Sequence, residues 1–153
     1  MELSDLISQE RIVASLHATS KKQALSELAV RAEELTGLPQ RQIYEALLER
    51  ERLGSTGIGN GIAIPHAKLP DLQHLIGIFA RLPAPIDFDA IDEQPVDLIF
   101  LLLAPAGAGA DHLKALARVS RLLRNQSICE KLRGSHDAVA MYVLLTEPIS
   151  HAA

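Results

Sequence analysis

The stretch Gly54-Ser55-Thr56-Gly57-Ile58-Gly59-Asn60-Gly61-Ile62-Ala63-Ile64-Pro65-His66-Ala67-Lys68 places four glycines ahead of a short apolar run, a proline and then a histidine. Glycine admits positive φ and lets the backbone approach another group closely. Ile62-Ala63-Ile64 is short, β-branched and apolar, so it reads as a buried strand. Pro65 lacks a ladder donor and biases Ile64 toward an extended conformation, so the strand is expected to stop there. His66 then stands at a strand end beside a loop with free amides, where one imidazole nitrogen faces a partner.

On the N-terminal side, Ser20 and Gln23 fit a capping box. Leu25, Leu28, Ala32 and Leu35 follow at helical spacing and Gly37 is the expected stop. Pro39 opens a second helix that buries Ile43, Ala46 and Leu47 and runs to about Leu53. On the C-terminal side, Leu75 to Leu82 predicts a strand ending at Pro83, followed by a loop through Asp87, Asp89, Asp92 and Glu93. The continuous apolar run Val96 to Leu103 predicts a central strand covered on both faces. A long helix is expected from an N-cap at Asp111, with Leu113, Leu116, Ala117, Ser120 and Leu123 inward. Two further helices are expected, at Ser127 to Leu132 ended by Gly134, and after a Ser135 cap with Ala138, Met141, Tyr142 and Leu145 in phase. Helices alternating with strands imply an α/β sandwich around a mixed sheet, and no linker or internal repeat divides residues 1–153 into more than one domain.

Size and composition narrow the function. The 153 residues suffice for one domain with a substantial core. A net charge of −4 with 3% aromatic residues gives no basic, ring-bearing surface for nucleic acid. No apolar run reaches the length of a membrane helix, and the acidic start Met1-Glu2-Leu3-Ser4-Asp5 is unlike a signal peptide, so a cytoplasmic chain that is not inserted in a membrane is expected. Cys129 is the only cysteine, which excludes an internal disulfide, and its neighbours Ile128 and Leu132 make it a packing residue.

The glycine run fails two nucleotide motifs. Gly54 and Gly59 have the outer spacing of a P-loop, but Asn60-Gly61 stands where Lys and Ser or Thr are needed, and a strand follows where a dinucleotide fingerprint needs a helix. His112, in the first turn of the long helix, would be surrounded by free amides and the positive dipole end, which disfavour imidazolium and favour an anion. If the strands preceding His66 and His112 are neighbours, both rings face one cleft beyond the strand ends. Such a cleft permits zinc binding, although Asp111 is the only further ligand in view. It permits hydrolysis with Ser55 or Thr56 as nucleophile. It also permits phosphoryl acceptance on one imidazole, with the second ring, local amides and Arg50 or Arg52 holding the anion. His17, His74, His136 and His151 read as surface residues. Lys68 is either solvated or attracts an acidic partner. The acidic loop from Asp87 to Glu93 reads as solvated turns, since its spacing fits no EF-hand.

These residues carry a resemblance. Gly54 to Lys68, with its Gly-x-Ala-x-Pro-His core, resembles the active-site segment of the fructose/mannitol-type IIA proteins of the bacterial phosphotransferase system. Pro85 to Asp92, Pro95 to Pro105 and His112 to Ser120 resemble more narrowly the nitrogen-related branch of that family. The resemblance implies a three-layer α/β/α domain with a mixed central sheet. It implies that His66 accepts a phosphoryl group, as tele-phosphohistidine, from a small HPr-like phosphocarrier of the nitrogen branch, itself charged by a phosphoenolpyruvate-dependent enzyme. By the same match His112 contacts the phosphoryl group without accepting it, and Arg50, rather than Arg52, is the active-site arginine. The branch implies regulation of partners such as potassium transport systems or sensor kinases by phosphorylation state. The runner-up is a sugar-system IIA component that donates to a separate IIB. A rival of another class is an interaction module whose His66 is not phosphorylated. No metal or organic cofactor is needed to explain the site.

Overall fold

The computed structural model describes residues 2–147. Six strands form one mixed sheet: β1 (Ile12–Val13), β2 (Gly57–Gly59), β3 (Ile62–Ala63), β4 (His66–Leu69), β5 (Ile76–Ile86) and β6 (Val96–Pro105). The order is β1-β5-β6-β3-β2, with β4 also on β6. β3 and β4 follow one another along the same side of β6, both parallel to it, and β5 runs antiparallel on the other side. Helices α1 (Lys21–Thr36) and α2 (Gln40–Arg52) precede β2, and α3 (Ala110–Leu123), α4 (Gln126–Arg133) and α5 (Ala138–Thr146) follow β6.

The apolar run predicted as a central strand is β6. Its side chains alternate: Ile99, Leu101 and Leu103 join the core beneath α1 and α2, whereas Leu98, Phe100 and Leu102 join the core beneath α3 to α5. Period-two alternation with both faces apolar is what makes the run continuous, and it produces the three layers. Ser20 Oγ accepts from the Gln23 amide at 3.1 Å, and Gly37 closes α1 at φ 76°. The other half of the capping box is displaced by one residue, because Gln23 Oε1 accepts from Thr19 rather than Ser20.

Several expectations need correction. Pro65 interrupts the edge without ending it: its carbonyl accepts from the Leu102 amide at 2.9 Å, and pairing resumes as His66 opens β4 opposite Leu102. The glycine run includes a strand, β2, which turns back into β3 through Asn60 at φ 59° and Gly61 at φ 81°. Asn-Gly is the residue pair that a two-residue hairpin of positive φ selects. β5 continues past Pro83 and Pro85 to Ile86, because the ladder shifts register between Arg81 and Ile86 and asks no donor of either proline. Pro39 is the N-cap of α2 rather than part of its first turn. Gly109 caps α3 in place of Asp111, and Asp137 caps α5 in place of Ser135 by accepting from Val139.

The inner face of α3 is rotated by one residue from the expected one. His112, Ala115, Val119, Leu122 and Leu123 are buried, while Leu113 is 69% exposed. The apolar residues of α3 form two overlapping stripes, and the stripe chosen is the one that carries His112 inward.

Candidate functional site

β4 carries His66, α2 packs against β4, and α3 packs against β6. Arg50 and His112 thus come to His66 from helices on opposite faces of the sheet. The strands that precede the two histidines, β3 and β6, are neighbours, and the rings of His66 and His112 lie edge to face at 5.5 Å between centroids, 70° apart in plane.

Hydrogen bonds set the tautomer of His66. Nδ1 lies 2.9 Å from the carbonyl of Ile64, and a carbonyl can only accept, so Nδ1 carries the proton. Nε2 lies 3.2 Å from Arg50 Nε, and an arginine can only donate, so Nε2 offers its lone pair. Both partners select the same form. Arg50 is itself oriented by donating from Nη1 to the carbonyl of Gly54 at 2.9 Å. Arg52 points elsewhere, into a surface pair with Glu49 at 3.0 Å.

His66 is half-buried, and burial lowers its pKa below the usual 6.5. The Arg50 charge lowers it further, against the raising effects of the Ile64 carbonyl and the Glu51 charge. His112 is 5% exposed, so this first-turn residue is buried in the fold and not turned to solvent. Burial, His66 and Lys68 all lower its pKa. Its buried Nε2 has no hydrogen-bond partner among the described residues. A buried polar atom left unpaired is costly, and this one belongs to the ring packed edge to face on His66.

The remaining candidates separate from this cluster. Ser55 Oγ donates to Phe88 O at 2.7 Å and Thr56 Oγ1 donates to Glu51, so neither hydroxyl donates to His66 or His112. No group of three or more His, Cys, Asp or Glu side chains converges among the described residues. Cys129 is buried, donates to Leu123 O, and burial raises its pKa. His17 and His74 are exposed, as is Lys68. The exposed His136 accepts at Nδ1 from the buried Arg81 at 2.7 Å. His151 lies outside the described residues. In the acidic loop, Asp92 holds the hairpin tip by accepting from the Asn60 amide at 3.0 Å.

Sequence reasoning missed Glu51, which closes the buried face of α2 at four-residue spacing after Ile43 and Leu47. That spacing was the available signal.

Residues 5–147 match the family described as phosphoenolpyruvate-dependent sugar phosphotransferase system, EIIA 2. The chain belongs to this EIIA type 2 family. It is 59% identical over 153 residues, all of both chains, to a nitrogen regulatory protein of Bradyrhizobium diazoefficiens. Among solved structures, nitrogen regulatory protein IIA-Ntr from Neisseria meningitidis superposes with a TM-score of 0.90 at 35% identity, covering 94% of this chain and 99% of that one. IIA mannitol from Escherichia coli shares the fold, with a TM-score of 0.78 at 20% identity over 92% of this chain and 99% of that one. Membership in the EIIA type 2 family supports a phosphocarrier role and implies a phosphocarrier partner. No helix among the described residues is long and apolar enough to cross a membrane.

Proposed function

We propose that this chain, acting as one EIIA type 2 domain in the cytoplasm, takes a phosphoryl group onto Nε2 of His66 from a phosphohistidine on an HPr-like carrier of the nitrogen branch. The observation that carries the reading is the fixed tautomer. With Nδ1–H committed to Ile64 and Nε2 facing Arg50, only Nε2 has a lone pair directed at a charged donor. That lone pair attacks phosphorus, the P–N bond to the carrier breaks, and its electron pair stays on the carrier's imidazole. Arg50 then exchanges the lone pair for a phosphoryl oxygen, since charge-assisted bonds are the stronger ones. The unpaired Nε2 edge of His112 offers a further contact to the group without competing for it.

The product differs from the free site by roughly two negative charges, and partners that recognise one state over the other read those charges. Relatives named nitrogen regulatory proteins favour such an end-point role, exerted on targets such as potassium transport systems or sensor kinases. Incubation with phosphoenolpyruvate and the general phosphotransfer proteins tests the reading. One phosphoryl group retained on His66, with none passed to sugar, supports it. Onward transfer through a IIB protein selects the sugar-system alternative. No labelling selects an interaction module.

A further inference from the structure

Glu51 takes no part in the transfer described above, yet it is a carboxylate at 8% exposure on an otherwise apolar helix face. Buried charge is costly unless paired, and replacing a buried ion pair by apolar residues is often neutral or stabilising. Glu51 is fully engaged. Oε1 accepts from Lys21 Nζ at 2.9 Å and from the Thr56 amide at 3.0 Å, and Oε2 accepts from Thr56 Oγ1 at 2.5 Å. Lys21, the first residue of α1, also lies over the Phe88 ring at 4.9 Å from its centroid.

Two hydrogen-bonded paths lead from this carboxylate to the two nitrogens of His66. Along the first, the turn 53–57 that Glu51 clasps contains Gly54, whose carbonyl holds Arg50 against Nε2. Along the second, the carbonyl of Thr56 accepts from the Ile64 amide at 3.0 Å, and the Ile64 carbonyl holds Nδ1–H. We infer that Glu51 is a positioning residue for phosphoryl transfer. By clasping Thr56 and Lys21 it fixes both the guanidinium on one side of the His66 ring and the carbonyl on the other. The inference rests on His66 as the acceptor.

The test uses the full chain with Glu51→Gln, alone and combined with Arg50→Ala, in single-turnover transfer from the phosphorylated carrier. Glutamine keeps the size but removes the charge that holds Lys21 and one of the two accepting oxygens. Misplacing the ring and guanidinium slows transfer by about tenfold in the otherwise wild-type chain. Because part of the effect runs through Arg50, the slowing falls to about threefold or less in the Arg50→Ala background. Ring nitrogen shifts of His66 provide a readout that needs no transfer: wild type shows one tautomer protonated at Nδ1, and Glu51→Gln shows a mixture. Equal slowing in both backgrounds, or unchanged ring shifts, overturns the inference. Thr56→Ala, which keeps the Glu51–Lys21 pair, gives the same readouts should Glu51→Gln fail to fold. A wild-type chain that takes no phosphoryl group defeats the acceptor reading, and the ring shifts still decide the positioning of His66.

Discussion

Arg50 donates from Nε to Nε2 of His66 across 3.2 Å, so the guanidinium holds the lone pair that the proposed transfer uses. The same guanidinium is anchored through Nη1 to Gly54. A planar fork can keep that anchor while exchanging its other partner, and an ammonium cannot. Arg50→Lys and Arg50→Ala are both expected to slow single-turnover transfer by at least about tenfold, a loss of roughly 1.4 kcal/mol of transition-state stabilisation. Rates within about twofold of wild type for both variants, on the same scale, remove Arg50 from the site.

His112 is expected to matter twice. Its ring is buried against His66, so His112→Ala leaves a cavity and lowers stability by about 1–3 kcal/mol. Losing one donor to the transferring group slows transfer by roughly 10²-fold. Denaturant unfolding beside single-turnover kinetics checks both. A destabilised variant with an unchanged rate makes His112 a purely structural residue.

Acid is expected to weaken the fold through both rings. Each is held neutral by burial, with a folded pKa below the usual 6.5. Above that value folded and unfolded rings are alike unprotonated. As pH falls below it the unfolded chain binds protons first, so stability drops until the folded rings protonate as well. Urea unfolding between about pH 7.5 and pH 5 should show this decline in wild type, and a shallower one in the His66→Gln, His112→Gln double variant. Transfer activity should persist below the ordinary histidine range. A His66 titration at or above 6.5 contradicts the assignment.

The turn between β2 and β3 rests on Gly61. At φ 81°, a Cβ there would lie 2.5 Å from Arg133 Nη2 and 2.8 Å from Asp97 Oδ1. Arg133 Nε pairs with both Asp97 oxygens, at 3.0 and 2.9 Å, and Nη2 donates to Asn60 O at 2.7 Å. Gly61→Ala therefore strains the backbone and displaces this clamp, lowering stability by about 1–3 kcal/mol. In the Arg133→Ala background the cost should shrink toward the backbone share alone, as a double-mutant cycle in urea would register.

What was legible in the sequence follows from how local each signal is. The Val96 run showed its burial through continuous apolarity, and Ser20 and Gly37 marked helix ends through chemistry confined to a few residues. The juxtaposition of His66 and His112 rested on a conditional adjacency, which the pairing of β3 with β6 satisfies. The phase of α3 was not legible, because Leu113 and Leu116 compete with Ala115 and Val119 for the inner face. In the structure the face carrying His112, Ala115 and Val119 is the buried one. Pro65 and Pro83 mark strand stops in the sequence, but an interrupted edge and a register shift leave their missing donors unneeded. The Glu51 clasp joins α1, α2 and the turn 53–57, and no local pattern announces a contact between Lys21 and Glu51.

Everything proposed for the site depends on Nε2 of His66 as the phosphoryl acceptor. The most direct test of this is nitrogen–phosphorus coupling in the NMR spectrum of chain labelled with 15N-histidine, phosphorylated by its carrier and kept at neutral to alkaline pH. A single coupled nitrogen is expected, Nε2 of His66, with Nδ1 still protonated and no coupling in His66→Ala. Phosphorus on Nδ1, on His112 or on no histidine at all would contradict it.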